Sequence, residues 1–115
     1  VKTAVLKKDG ITLVKTVELA DSMRLRLVGL LGRDALGSDC AIYLSPCNCI
    51  HTFLMRFPID LIFLSKSLQV TKLVWDVPAN RIVSGGLNAW SVVEMESGWF
   101  PRNALSQGET VQLYC

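Results

Sequence analysis

The stretch Ile59-Asp60-Leu61-Ile62-Phe63-Leu64 constrains the fold of this chain more than any other. Side chains alternate along a strand, and here apolar residues occupy both parities, so a strand at this place must be covered on two faces. Around it, segments rich in β-branched, aliphatic and aromatic residues recur at residues 40–44, 50–55, 68–75, 90–95 and 110–113. Turn-forming groups such as Ser45-Pro46, Phe57-Pro58 and Ser84-Gly85-Gly86 separate them. Many short strands with such punctuation predict a sheet protein rather than an α/β alternation. Residues 78–88 read as the longest loop, and residues 97–105 as an irregular link before the last strand.

The amino end predicts a hairpin. Residues 3–7 and 11–17 are aliphatic and β-branched, and Asp9-Gly10 between them supplies the positive φ values of a two-residue turn. One short helix is expected next: Asp21 or Ser22 can cap it, Met23, Leu25, Leu27, Leu30 and Leu31 give it an apolar stripe, and Gly32 can close it. Gly29 weakens its interior. The fold class expected is therefore mainly β, a small β-barrel or sandwich with one short α-helix near the N-terminal third. At 115 residues it reads as a single domain over 1–115.

Half of the residues are hydrophobic and 19% are charged, which excludes a disordered chain. The formal net charge is +2 and the only adjacent basic pair is Lys7-Lys8, so no nucleic acid is expected as a partner. The apolar stretch from Cys49 to Leu64 is cut by His51, Arg56, Pro58 and Asp60, so no transmembrane segment is expected. The first residues lack the apolar core of a signal peptide, which places the chain in the cytoplasm as it stands, or outside it if a signal precedes this sequence.

Chemistry concentrates between residues 47 and 60. On an extended chain Cys47, Cys49, His51, Phe53 and Met55 would share one face. Two thiols and an imidazole then admit a soft site for zinc or copper, with Met55 as a further ligand. A nucleophile reading takes Cys47 or Cys49 as the attacking thiol, His51 as base and Asp60 or Asn48 as orienting group. The spacing favours a third reading, two buried cysteines and a hydrogen-bonded histidine, because C-x-C-x-H offers three ligands and the chain has no second histidine. No cofactor is expected. Asp60 heads an apolar run, so its carboxylate must be paired or hydrogen-bonded, and Arg56 is its nearest candidate partner. Trp75, Trp90 and Trp99 with Tyr43 and Phe100 read as core rather than as a stacking surface. Cys40 reads as a small buried hydrophobe.

The run from Ile50 to Leu64, with Gly29-Leu30-Leu31-Gly32-Arg33 before it and Val93-Glu94-Met95, Ser97-Gly98 and Gly108-Glu109 after it, resembles the domain of unknown function 192 family of bacteria and archaea. Leu31 stands where that family usually has methionine, and Glu109 where it has aspartate. The resemblance runs from about Val17 to Leu113. It implies a small, predominantly β domain and no particular activity.

The reading taken forward is a non-enzymatic β module that binds a small molecule or a protein partner in a cleft near the helix, with His51, Met55, Arg56 and Asp60 as its candidate ligand residues. The alternatives are a metal- or thiol-dependent enzyme using Cys47, Cys49 and His51, and a structural or assembly subunit.

Overall fold

The first hairpin forms where Asp9-Gly10 puts it. Strands β1 (Thr3–Lys8) and β2 (Ile11–Ala20) pair antiparallel with Lys8 opposite Ile11, which leaves Asp9 and Gly10 as the turn at φ 51° and 78°. Consecutive positive φ values give the turn whose twist matches that of the strands. The computed structural model describes residues 2–20 and 35–115. The helix expected after Ala20 falls on residues 21–34 and lies outside the described residues. Among the described residues the only helical element is a 3-10 turn at Arg102–Ala104.

The chain continues through β3 (Cys40–Leu44), β4 (Cys49–His51), β5 (Ile59–Leu64), β6 (Val70–Val77), β7 (Ile82–Ser84), β8 (Ser91–Glu96) and β9 (Gln112–Tyr114). Seven of these strands form one sheet in the order β6-β5-β8-β3-β2-β1-β9, and β4 pairs with β7 in a separate two-stranded ribbon. Only β2 and β3 run parallel among the described pairs. All six residues of β5 are buried, as the opening run requires, with β6 and β8 as lateral neighbours.

The alternation of β5 divides two cores. Ile62 and Leu64 join Leu6, Val14, Val93 and Met95 on one face. Ile59, Leu61 and Phe63 join Ile42, Val92 and the ribbon residue Ile50 on the other. The ribbon is thus a second layer over that face. Gly85, just after β7, makes the contact possible: a Cβ there would stand 2.3 Å from the Phe63 ring and 2.6 Å from the Ala89 Cβ.

The sequence expectation of a barrel is corrected, because the sheet does not close. Edge strand β9 is three residues long and spends its pairing on β1. Among the described residues the two edges approach beside β6, at the bridge Gln69–Thr110 and in bonds from Val70 N–H to the Glu109 carbonyl (2.7 Å) and from Val111 N–H to the Leu68 carbonyl (2.9 Å). The strand expected at residues 50–55 is also corrected. It stops at His51, because Leu54 takes φ 64° and the Met55 N–H turns back to the Thr52 carbonyl (3.2 Å). Residues 78–88 are not all loop, since they contain β7. No helix among the described residues is long and apolar enough to cross a membrane.

Candidate functional site

Thr52 ends the β4 strand and fixes the turn that follows. Its buried hydroxyl donates to the Pro78 carbonyl (2.7 Å) and accepts from the Arg81 N–H (2.9 Å). Its backbone N–H and carbonyl bond to Arg81 and Asn80 across the ribbon end. The turn therefore departs from the ribbon at a fixed angle, and the residues expected to share a strand face part company.

Cys49 and His51 do share the outer, exposed face of the ribbon, opposite Ser84 and Ile82. The His51 ring stacks on Phe53 with centroids 5.1 Å apart, and its Nδ1 accepts from the Phe53 N–H (3.3 Å). Cys47 is half-buried and its thiol donates to the Cys49 carbonyl (3.3 Å). The expectation that both cysteines are buried is thus corrected, since Cys49 lies on the ribbon's solvent side. Cys40 is likewise only half-buried. Among the described residues no three His, Cys, Asp or Glu side chains gather into a group that could hold a metal ion. Met55 instead packs against the core beneath the ribbon, and Arg56 is exposed in the same turn.

Asp60 faces the opposite core. It pairs with Met95 in register and is 1% exposed. Its Oδ1 accepts from the backbone N–H of Asp76 (2.8 Å). Asp76 has φ 55° and sits where the β5–β6 register shifts, so this bond satisfies a backbone donor that the irregular ladder leaves over. The Asp76 carboxylate is held below the usual range by hydrogen bonds from Ser97 and Arg102, and the Arg102 guanidinium also lies over the Trp75 ring at 5.5 Å. Phe100 stacks on Trp75 and meets Trp99 edge to face beside the core that holds Leu6 and Met95. Trp90 is exposed beneath the Lys66 ammonium.

The least expected group is Glu94. It stands in the middle of β8, opposite Ile42 on β3 and Leu61 on β5, on the face that the ribbon covers. It is 7% exposed, and its carboxyl has no hydrogen bond or ion pair among the described residues. Burial alone raises its pKa from 4.5 to about 7. Two residues along the same face, Glu96 accepts from the Leu36 N–H (3.1 Å), and the Ser97 N–H donates to the Pro58 carbonyl (3.0 Å). Leu36, Met55 and Phe57 are among the half-buried apolar groups around this core. Glu94 is thus a carboxyl without a partner among the described residues, able to donate when protonated and to accept when ionised.

Of the four ligand residues expected from sequence, Met55 packs on the core of the Glu94 face and Arg56 is exposed in the same turn. His51 is outside the ribbon and Asp60 is on the other face of the sheet. Glu94 itself carried a readable signal, a charge inside Val92-Val93-Glu94-Met95. The same signal, a carboxylate within an apolar run, singles out Asp60.

A family model described as an uncharacterised ACR, domain of unknown function 192, matches residues 4–113. Comparison with curated proteins finds no significant match. Two solved structures are similar over 96% of this chain, each with a TM-score of 0.79. One is a protein of unknown function from Novosphingobium aromaticivorans DSM 12444, at 17% identity with 83% of that chain covered. The other, from Sinorhizobium meliloti 1021 and provisionally named a transcription regulator, is 18% identical with 92% of that chain covered. At these identities the likeness is one of fold.

Proposed function

The chain belongs to the domain of unknown function 192 family, and from that premise we propose that it is a non-enzymatic binding module whose small-molecule ligand meets Glu94. The observation that carries this reading is a carboxyl on a largely buried residue, with no hydrogen bond or ion pair among the described residues. Burying an unpaired polar group costs free energy that a Leu or Met at the same place would not, and Ile42 and Leu61 beside it show that the face is otherwise apolar. A ligand with an apolar body and a hydrogen-bonding nitrogen or hydroxyl would satisfy the carboxyl and cover its neighbours. Met55, from the expected ligand set, contributes a flexible apolar contact at the turn. The ordered bond from Asp76 to Asp60 supports a bracing role for that carboxylate rather than a ligand contact.

The test is amide-resolved NMR with a fragment library of small amines, amides and alcohols. Fragments that bind should shift the amides of Ile42, Leu61 and Glu94, and those shifts should vanish in Glu94→Leu. Hits that perturb only other surfaces, or that persist in Glu94→Leu, would count against the reading.

A further inference from the structure

The outer face of the β4–β7 ribbon collects apolar side chains that the fold does not use. Leu54 is 76% exposed, Ile82 68% and Phe53 43%. They are contiguous: Ile82 lies opposite His51 in the ribbon register, the His51 ring stacks on Phe53, and Leu54 follows directly. Leu54 also holds φ 64°, a region unfavourable for a residue with a Cβ. Neither burial nor backbone ease accounts for a leucine there. Among the described residues seven large hydrophobics are exposed, and five of them, Phe53, Leu54, Ile82, Leu87 and Trp90, fall between residues 53 and 90.

Exposed charge in this part of the chain is mainly positive. Between residues 57 and 90 the cations are Lys66, Lys72 and Arg81, all exposed. The anions are Asp60, which is buried, and Asp76, which is bound by Arg102. Arg81 directly precedes Ile82, and Lys72 reaches the ribbon through a bond to the Ser84 carbonyl (2.9 Å). Apolar tips edged by Lys and Arg are the composition that docks on an anionic lipid surface.

We propose that the outer ribbon face, through Phe53, Leu54 and Ile82 with Arg81 at their edge, is a docking surface for an anionic lipid bilayer. Two other occupants fit less well. A second copy related by a two-fold axis would set this basic edge against itself. A protein partner of standard interface size would draw about 20 to 30 residues from each side, and this apolar cluster is far smaller.

The experiment is co-sedimentation of the full chain with vesicles of equal parts phosphatidylcholine and phosphatidylserine, against vesicles of phosphatidylcholine alone. Leu54→Asn with Ile82→Thr suits the local backbone and leaves both cores untouched, and circular dichroism checks that the double variant is folded. Binding is expected to the anionic vesicles, with at least about fivefold less to the neutral ones, since each cation near such a surface contributes roughly that factor. Arg81→Gln should weaken it about fivefold, and the double variant should abolish it. No binding to anionic vesicles, equal binding to both, or binding unchanged in the double variant would overturn the proposal. So would self-association in sedimentation velocity that the double variant removes, since a second copy would then occupy the face.

Discussion

Replacing Glu94 by glutamine should remove the loss of stability with rising pH that this carboxyl imposes on the wild-type protein. Between pH 4.5 and about 7 the unfolded Glu94 is ionised while the folded one keeps its proton. The folded state then binds more protons, so stability falls as pH rises, by about 1.4 kcal/mol per pH unit. The fall stops once the folded group ionises near pH 7. Over that interval the wild type should lose about 3 kcal/mol that Glu94→Gln does not lose. Glutamine is close in shape and, like the protonated acid, neutral, so the two proteins should be of similar stability near pH 4.5. Above pH 7 the variant should lead by about 3 kcal/mol, a shift of roughly 10 °C in Tm for a domain of this size. Urea unfolding of both proteins in steps from pH 4.5 to 8 reads the difference directly. Asp76 and Glu109, which the substitution does not alter, titrate in both proteins. A wild-type-minus-variant difference that stays flat across this range would refute the assignment of a desolvated carboxyl at residue 94, and with it the basis for the proposed site.

Three other perturbations probe the scaffold. Asp60→Ala should cost about 1–3 kcal/mol by removing the acceptor for the Asp76 N–H, and Asp60→Asn less, because a carbonyl remains. An unchanged melting temperature for the alanine variant would exclude the bracing role. Gly85→Ala should destabilise by about 1–3 kcal/mol, because the new methyl meets the buried Phe63 ring and Ala89. A variant as stable as the wild type in urea would mean that the ribbon does not press on β5. The Glu109 carboxyl, held below its usual range by the Lys8 ammonium (2.7 Å) and then by the Ser106 N–H, should move up in Lys8→Ala when followed by carbon-detected NMR. The stabilisation from this lowered carboxylate is present above its ordinary pKa and is lost as pH falls through the folded value.

Local chemistry was legible in the order of residues. Asp9-Gly10 determined the first hairpin, because only a two-residue positive-φ turn joins twisted strands so tightly. The two-sided apolar run of residues 59–64 determined a central strand, and the strands over residues 40–44 and 59–64 occur with those bounds. Sequence by itself also determined that a carboxylate at residue 60 needs a bonding partner. It did not determine which one: the nearest cation in the chain was the natural candidate, and the structure supplies a backbone N–H sixteen residues away.

What only tertiary structure decided are the pairings between distant segments. The residue pattern at 50–55 suits a strand, but a strand persists only where a partner lies alongside, and β7 runs beside residues 49–51 alone. Likewise residues 78–88 lack a strand's apolar run, and β7 forms because β4 offers it hydrogen bonds. The open sheet follows from β9 being too short to pair along β6 as well as β1. Glu94 differs from Asp60 for the same reason: both are carboxylates in apolar strands, but one faces a register shift with a spare N–H and the other faces Ile42 and Leu61. Alternation along a strand is local and can be read from residues, whereas the groups each face meets depend on which strand lies beside it.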